Sequence, residues 1–245
     1  MKNKKIILIL GSEGRIGRPL VNFLLEKNYF VIAVDKKFKK KIKKKNHFYI
    51  ECDLTKKNSL KKLFINIKKI GKLYAAVNCL YPKTKTWGTK FESLDESKIT
   101  NHLYLQIGLP ILISKEICKH FLINGSGKLI NISSIQGVSA PKFDHYENTK
   151  IVSPIEYSMA KSGIISLTKY LAKYYKGKNI IVNCVSPGGI KSNQPISFQK
   201  KYNKVCNSKG LLDAKDIVNT IIFLISEKSN YITGQNIIID DGWSL

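Results

Sequence analysis

The stretch Glu156-Tyr157-Ser158-Met159-Ala160-Lys161 sets a phenol and an ammonium four residues apart, with Ser133-Ser134 upstream. On a helix that spacing puts Tyr157 and Lys161 on one face, about one turn from each other. A nearby cation stabilises phenolate, so it draws a tyrosine pKa down from its reference near about 10. Such a tyrosine serves as a general acid toward a carbonyl or a general base toward an alcohol. By itself the pair is a weak signal, because tyrosine and lysine meet by chance on many solvated helices. Its weight depends on what else the chain carries.

The N-terminal segment carries a phosphate-binding pattern. Ile6-Ile7-Leu8-Ile9-Leu10 is an unbroken aliphatic run and reads as a buried parallel strand. Gly11-Ser12-Glu13-Gly14-Arg15-Ile16-Gly17 follows at once, then an amphipathic stretch from Pro19 to Lys27 with Leu20, Phe23 and Leu24 on one face. Strand, glycine turn and helix are the context that a dinucleotide fingerprint requires. Glycine lets the backbone approach a pyrophosphate, and a helix N-terminus offers free N–H donors with a partial positive charge. A second strand, Phe30-Val31-Ile32-Ala33-Val34, ends in Asp35. A carboxylate there accepts bonds from ribose hydroxyls and repels a 2′-phosphate, which favours NAD over NADP. Lys36 to Lys45 argues the other way, with eight lysines in ten residues. Such a run is usually a solvated loop face, but it also suits a 2′-phosphate. NAD is the expected cofactor, and the lysines leave NADP open.

With these residues in hand, the chain resembles the short-chain dehydrogenase/reductase family over nearly its whole length. The glycine turn, Cys52-Asp53-Leu54-Thr55, Asn78, Asn131-Ile132-Ser133-Ser134, Tyr157/Lys161, Pro187-Gly188 and Gly234-Gln235…Asp240-Asp241-Gly242 occur in that family's order. The resemblance implies an α/β, single-domain Rossmann fold spanning residues 1–245, with a doubly wound parallel sheet and helices on both faces. It implies NAD(P)-dependent oxidoreductase activity. Gly11, Gly14, Arg15, Ile16 and Gly17 would meet the pyrophosphate, Asp53 and Leu54 the adenine, and Asn78 a ribose. Ser134 would bond the substrate oxygen, Tyr157 would move the proton, and Lys161 would hold the nicotinamide ribose and tune Tyr157. Pro187, Gly188, Ile190 and Ser192 would border the nicotinamide carboxamide.

Departures from the family pattern carry information. The turn reads G-x-x-G-x-x-G where single-domain members usually show G-x-x-x-G-x-G, with Arg15 where the middle glycine usually falls. That spacing is more typical of the family's sugar-nucleotide branch. The asparagine of the usual proton relay is replaced by Gln106; Asn101 is the other occupant considered. The N-N-A-G signature is reduced to Asn78-Cys79-Leu80-Tyr81. Ser134 and Tyr157 stand 23 positions apart, farther than usual, so residues 140–150 must loop over the mouth of the site. Ile135 to Phe143, Tyr146-Glu147-Asn148-Thr149, Pro187 to Pro195 and Asp240 to Leu245 look like the flagellin-modification protein A group. That group is associated with bacterial surface-glycan biosynthesis, especially legionaminic-acid-type sugars.

Substrate loops are expected near residues 135–156 and 192–211. They offer His145, Tyr146, Asn193 and Gln194 as substrate contacts, with Lys142, Lys150 and Lys200 nearby. Their polarity points to a hydroxylated, anionic sugar rather than a steroid or an acyl chain. His145 by itself reads more simply as a solvent-exposed loop residue. The rival from another class is a cofactor-binding regulatory or scaffold protein that has lost catalysis, motivated by Gln106. A reductase of another small carbonyl is a further alternative.

Composition bounds the remaining classes. A chain of 245 residues suits one domain and buries a sizeable core. The strand-like runs Ala75-Ala76-Val77, Lys128 to Ile132, Ile180-Ile181-Val182 and Ile237-Ile238-Ile239 alternate with helical patterns at 109–122, 157–175 and 213–226. No apolar stretch reaches the roughly 18–20 residues of a membrane span, and the first residues lack a signal-peptide pattern, so a cytoplasmic location is expected. Five cysteines lack paired or metal-like spacing and four histidines do not cluster, so neither disulfides nor a metal site is expected. The net charge of +25 raises nucleic-acid binding. Lysines spread over the whole chain and only two arginines argue against it. A basic surface would instead draw anionic metabolites. The apolar residues Ile164, Ile165, Leu167 and Leu171 suit either a homodimer or homotetramer interface or plain core packing.

Overall fold

The computed structural model describes residues 5–39, 41, 44–84 and 86–245. Among these residues seven strands form one parallel sheet: β1 (Ile6–Leu10), β2 (Phe30–Asp35), β3 (His47–Glu51), β4 (Leu73–Asn78), β5 (Gly127–Ile132), β6 (Ile180–Pro187) and β7 (Asn236–Ile239). Their order across the sheet is β3-β2-β1-β4-β5-β6-β7. The helices are α1 (Gly17–Glu26), α2 (Ser59–Ile70), α3 (Glu96–Leu103), α4 (Leu109–Asn124), α5 (Ile155–Tyr174), α6 (Ile196–Lys204) and α7 (Ala214–Ile225). This is the doubly wound Rossmann-like arrangement that the sequence implies.

The aliphatic runs form central strands because both faces of a parallel sheet are covered, so side chains pointing either way must be apolar. Alternation along each strand then splits the core in two. Leu8, Leu10, Ile32, Ala76, Leu129 and Val182 pack against Leu63, Phe64 and Ile67 of α2 and Ile113, Ile117 and Phe121 of α4. Ile7, Ile9, Val31, Ala33, Val77, Ile130 and Val185 pack against Leu20 and Leu24 of α1 and Ile217, Ile221 and Leu224 of α7. A third, smaller cluster joins Ile135, Phe198, Tyr202, Leu211 and Trp243. It lies over the carboxyl ends of the strands.

The aliphatic runs anticipate six of these strands, and β3 is the addition. Its sequence His-Phe-Tyr-Ile-Glu shows no fully buried residue, since it lies at the sheet edge with a strand on one side only. Ile164 and Leu171 of α5 are 4% and 7% exposed in the single chain, which is core packing. Apolar exposure on α4 and α5 lies elsewhere, at Ile111, Leu122, Ile123, Met159, Tyr170 and Tyr174. All five cysteines are free. No helix is long and apolar enough to cross a membrane among the described residues.

Candidate active site

Strand order reverses between β1 and β4, and crevices at such switch points are where open α/β sheets bind ligands. A cleft of about 1060 Å³ opens there. Gly11 follows β1, Asp35 ends β2, Asp53 and Leu54 follow β3, and Ser133 and Ser134 follow β5, so their shared position at the carboxyl edge comes from parallel register.

One end is shaped for a phosphate-linked nucleotide. Gly11 adopts φ +73°, and a Cβ there would come within 2.9 Å of the Cys79 carbonyl. A Cβ on Gly17 would lie 2.2 Å from the Gly11 carbonyl oxygen, because α1 begins directly against the turn. Gly17→Ala is therefore expected to destabilise the chain by at least about 1–3 kcal/mol, by overpacking against backbone. Thermal melting with and without NADH reads both that loss and the accompanying loss of cofactor stabilisation. Gly14, Arg15 and Ile16 line the cleft, while Gly17 supports the turn from behind. Arg18 pairs with Glu13 at 2.6 Å, but Arg15 has no ion-pair partner among the described residues.

Asp35 accepts the backbone N–H of Glu13 at 2.8 Å and that of Lys36 at 2.7 Å. A carboxylate offers about four lone-pair sites, so two stay free for a ribose. Lys36 Nζ is held by Asp53 Oδ2 at 3.1 Å, beside Leu54 on the cleft wall. Residues 40, 42 and 43 of the lysine run lie outside the described residues. Asn78 is buried and its Oδ1 accepts the Leu80 N–H at 3.3 Å, which shapes the wall without forming it.

The other end gathers Ser134, Tyr157 and Lys161. Ser133 Oγ donates to the Lys161 carbonyl at 2.7 Å, and Ser162 Oγ to the Gly137 carbonyl at 3.0 Å. Gly137 permits this approach, since a Cβ would meet the Lys161 backbone at 2.6 Å. The turn after β5 is thereby fixed on α5, with Ser134 beside the Tyr157 phenol. Lys161 Nζ donates to the Ile132 carbonyl at 3.0 Å and lies 5.6 Å from the Tyr157 ring centroid.

The direction of the Tyr157 shift differs from the expectation. Burial pushes the phenol above its ordinary value, and the nearby Ser134 hydroxyl opposes this only in part. Burial also pushes Lys161 down to about 8. The ammonium sits over the ring and against a carbonyl, so desolvation outweighs its pull on the phenol oxygen.

Several expected contacts are corrected. Gln106 lies in one turn of π-helix, Tyr104–Gly108, between α3 and α4. Its Nε2 donates to the Pro82 carbonyl, and Asn101, Leu105 and Leu109 line the cleft while Gln106 does not. His145 is 1% exposed rather than solvent-facing. It is enclosed by the rings of Phe198, Tyr202 and Trp243, which keeps it off the cleft wall. Asn193 faces solvent, and Ser192 lies behind Gln194, whose Oε1 accepts the Ser192 N–H at 2.7 Å. Tyr146, Gln194, Pro187, Gly188 and Ile190 do line the cleft. Residues the sequence did not single out are Gln136, Tyr81, Phe198, Tyr202 and Trp243, all on the wall. Gln136 follows Ser134 by two residues, a signal that was available. Among the described residues no His, Cys, Asp and Glu group could hold a metal ion.

The family model described as enoyl-(acyl carrier protein) reductase matches residues 28–244. The chain belongs to the short-chain dehydrogenase/reductase family. It is 40% identical, over all of both chains, to post-translational flagellin modification protein A of Campylobacter coli. A short-chain dehydrogenase from Leptospira borgpetersenii with bound NAD+ superposes with a TM-score of 0.89 at 32% identity, covering 100% of this chain and 97% of that one. A 4-hydroxyisoleucine dehydrogenase complexed with NADH is 27% identical with a TM-score of 0.82, covering 98% and 99%. Short-chain dehydrogenase/reductase membership and these neighbours make the protein an NAD(P)-dependent oxidoreductase. The glycine turn, the long cleft and the carboxylate with free lone pairs all fit such a dinucleotide.

Proposed function

We infer that the protein uses NAD(H) to interconvert a hydroxyl and a carbonyl on a polar, anionic sugar or sugar derivative of bacterial surface-glycan biosynthesis. The observation that carries this is the meeting of Ser134, Tyr157 and Lys161 at one end of a cleft whose other end holds Gly11 and Asp35. Bound nicotinamide supplies or accepts the hydride. Tyr157 exchanges the proton with the substrate oxygen, Ser134 steadies that oxygen, and Lys161 keeps a positive charge beside the pair. A phenol raised by burial is protonated at neutral pH and so suits the acid role toward a carbonyl.

The substrate end supports a sugar. Gln136 Nε2 donates to Tyr146 Oη at 2.9 Å, and Ser153 Oγ donates to Gln136 Oε1 at 2.8 Å. Tyr146 lines the cleft, so its hydroxyl is available to a polar substrate group. Lys142 Nζ lies 5.0 Å from the Trp243 ring centroid, at the same mouth. The rings of Phe198, Tyr202 and Trp243 supply an apolar wall suited to the C–H face of a pyranose. The likeness to flagellin modification protein A supports the glycan context. A homodimer or homotetramer through the exposed apolar residues of α4 and α5, in the cytoplasm, completes the reading.

A screen of NADH oxidation against keto-sugar phosphates, nucleotide-linked keto sugars, steroid ketones and 3-oxoacyl thioesters tests it. Anionic keto sugars are expected to react best, and Tyr146→Phe and Lys142→Ala to raise their KM about tenfold each, the scale of one lost polar contact. Preference for a steroid or acyl substrate would overturn the sugar assignment.

A further inference from the structure

The residue before Tyr157 is a buried glutamate. Glu156 is 2% exposed, and neither carboxylate oxygen has a hydrogen-bond partner. Burying a carboxylate without donors is costly, and the compensation available here is one ring. His102, at the end of α3 and 1% exposed, holds its Nε2 4.0 Å from Glu156 Oε1. The same Nε2 is 2.8 Å from Thr84 Oγ1 and 3.3 Å from Thr86 Oγ1. On either side of these threonines the chain carries the rings that touch the proton-transfer tyrosine. Trp87 lies 5.8 Å from the Tyr157 ring and 5.3 Å from His102, and Tyr81 lies 5.5 Å from Tyr157, all edge-on. Gln106 fastens the same segment through the Pro82 carbonyl. The residue at the family's relay position therefore acts here as an anchor.

We propose that Glu156 and His102 form a buried positioning couple that holds Thr84 and Thr86, and through them Tyr81 and Trp87, against the ring of Tyr157. Glu156 sets the His102 ring, His102 sets the two hydroxyls, and the aromatic edges fix the angle at which the phenol meets substrate. Neither residue touches the reacting atoms, so both are positioning residues. The proposal rests on the reading of Tyr157 as the proton-transfer group.

Two features separate this role from a purely structural one. A couple retained for packing should lose stability when it is broken. A costly buried carboxylate retained for positioning should lose function while stability holds or rises. Trp87 also reports on the segment directly. With Trp243→Phe as background, Trp87 is the remaining tryptophan, and its emission can be followed without any substrate.

The experiment compares Glu156→Gln, His102→Gln and the double variant in that background. Each single variant is expected to shift Trp87 emission to the red and to raise acrylamide quenching about twofold, with the double variant no further changed, as coupled sites behave. The melting temperature should hold or rise in Glu156→Gln and in the double variant and fall in His102→Gln, which leaves the buried carboxylate uncompensated, and NADH affinity should stay within about twofold. In the Trp243-containing enzyme, each single variant should lower kcat about tenfold with KM for NADH unchanged, as loss of an interaction made in the transition state does. Unchanged Trp87 emission, additive effects on emission, or parallel loss of fold and activity in Glu156→Gln would each overturn the proposal. If the parent enzyme turns over no carbonyl, the functional reading fails, while the fluorescence comparison still decides the couple.

Discussion

Replacing Tyr157 by Phe is expected to lower turnover about 100- to 10,000-fold, the range that a positioned general acid contributes, while NADH affinity changes less than about twofold. The substitution removes one oxygen and keeps the ring, so the edge contacts with Tyr81 and Trp87 persist. The pH profile carries the second half of this prediction. Burial raises the phenol, so it stays protonated across neutral pH. Lys161 has its pKa depressed to about 8, so its ammonium is present below that value and lost above it. Reductive turnover should therefore be level below about pH 8 and fall above it, because the charge beside the substrate oxygen disappears. Lys161→Met should remove that limb and leave a low, flat profile. Stopped-flow NADH oxidation across pH 6–10 would check it, where 6–10 is roughly the window around the lysine value. A Tyr157→Phe enzyme with parental turnover would exclude the phenol from the reaction.

Asp35→Ala is expected to shift the preference between NADH and NADPH about 10- to 100-fold toward NADPH. Two charges about 4 Å apart near a protein surface interact with about 4 kcal/mol, more than enough for such a change. The carboxylate is already oriented by the N–H groups of Glu13 and Lys36, so it faces an incoming ribose without needing to reorganise. Once it is gone, Arg15 remains as an unpaired cation in the cleft, whereas Lys36 is engaged by Asp53. Calorimetric titration of both reduced cofactors against parent and variant measures the ratio. A parent that prefers NADPH would mean that Arg15 and the lysine run outweigh Asp35.

Much of the fold was legible because its signals are local. The glycine turn between an aliphatic strand and an amphipathic helix, Asp35 at the end of β2, and Tyr157 one turn before Lys161 all follow from neighbours in the chain. What was misread depends on distant partners. His145 looked like an exposed loop residue because the rings that bury it, Phe198, Tyr202 and Trp243, lie more than 50 positions away. Gln106 falls at the relay position by its distance along the sequence to Leu112 and Ser114. The π turn at Tyr104–Gly108 and the Pro82 carbonyl redirect its side chain. Glu156 passed unnoticed for a related reason: a glutamate near a helix start is ordinarily solvated and favourable. Only the packing of α3 against α5 reveals that this one is buried beside His102. Edge strand β3 lacked the aliphatic run of its neighbours because one flank has no partner.

The most direct test of the account is a calorimetric NADH titration of the parent chain, Tyr157→Phe and Gly17→Ala under identical salt. The account predicts one NADH per chain for the parent and for Tyr157→Phe at closely similar affinity, and loss of binding for Gly17→Ala. No NADH binding by the parent, or intact binding with Gly17→Ala at full stability, would contradict the assignment of this cleft as a dinucleotide site.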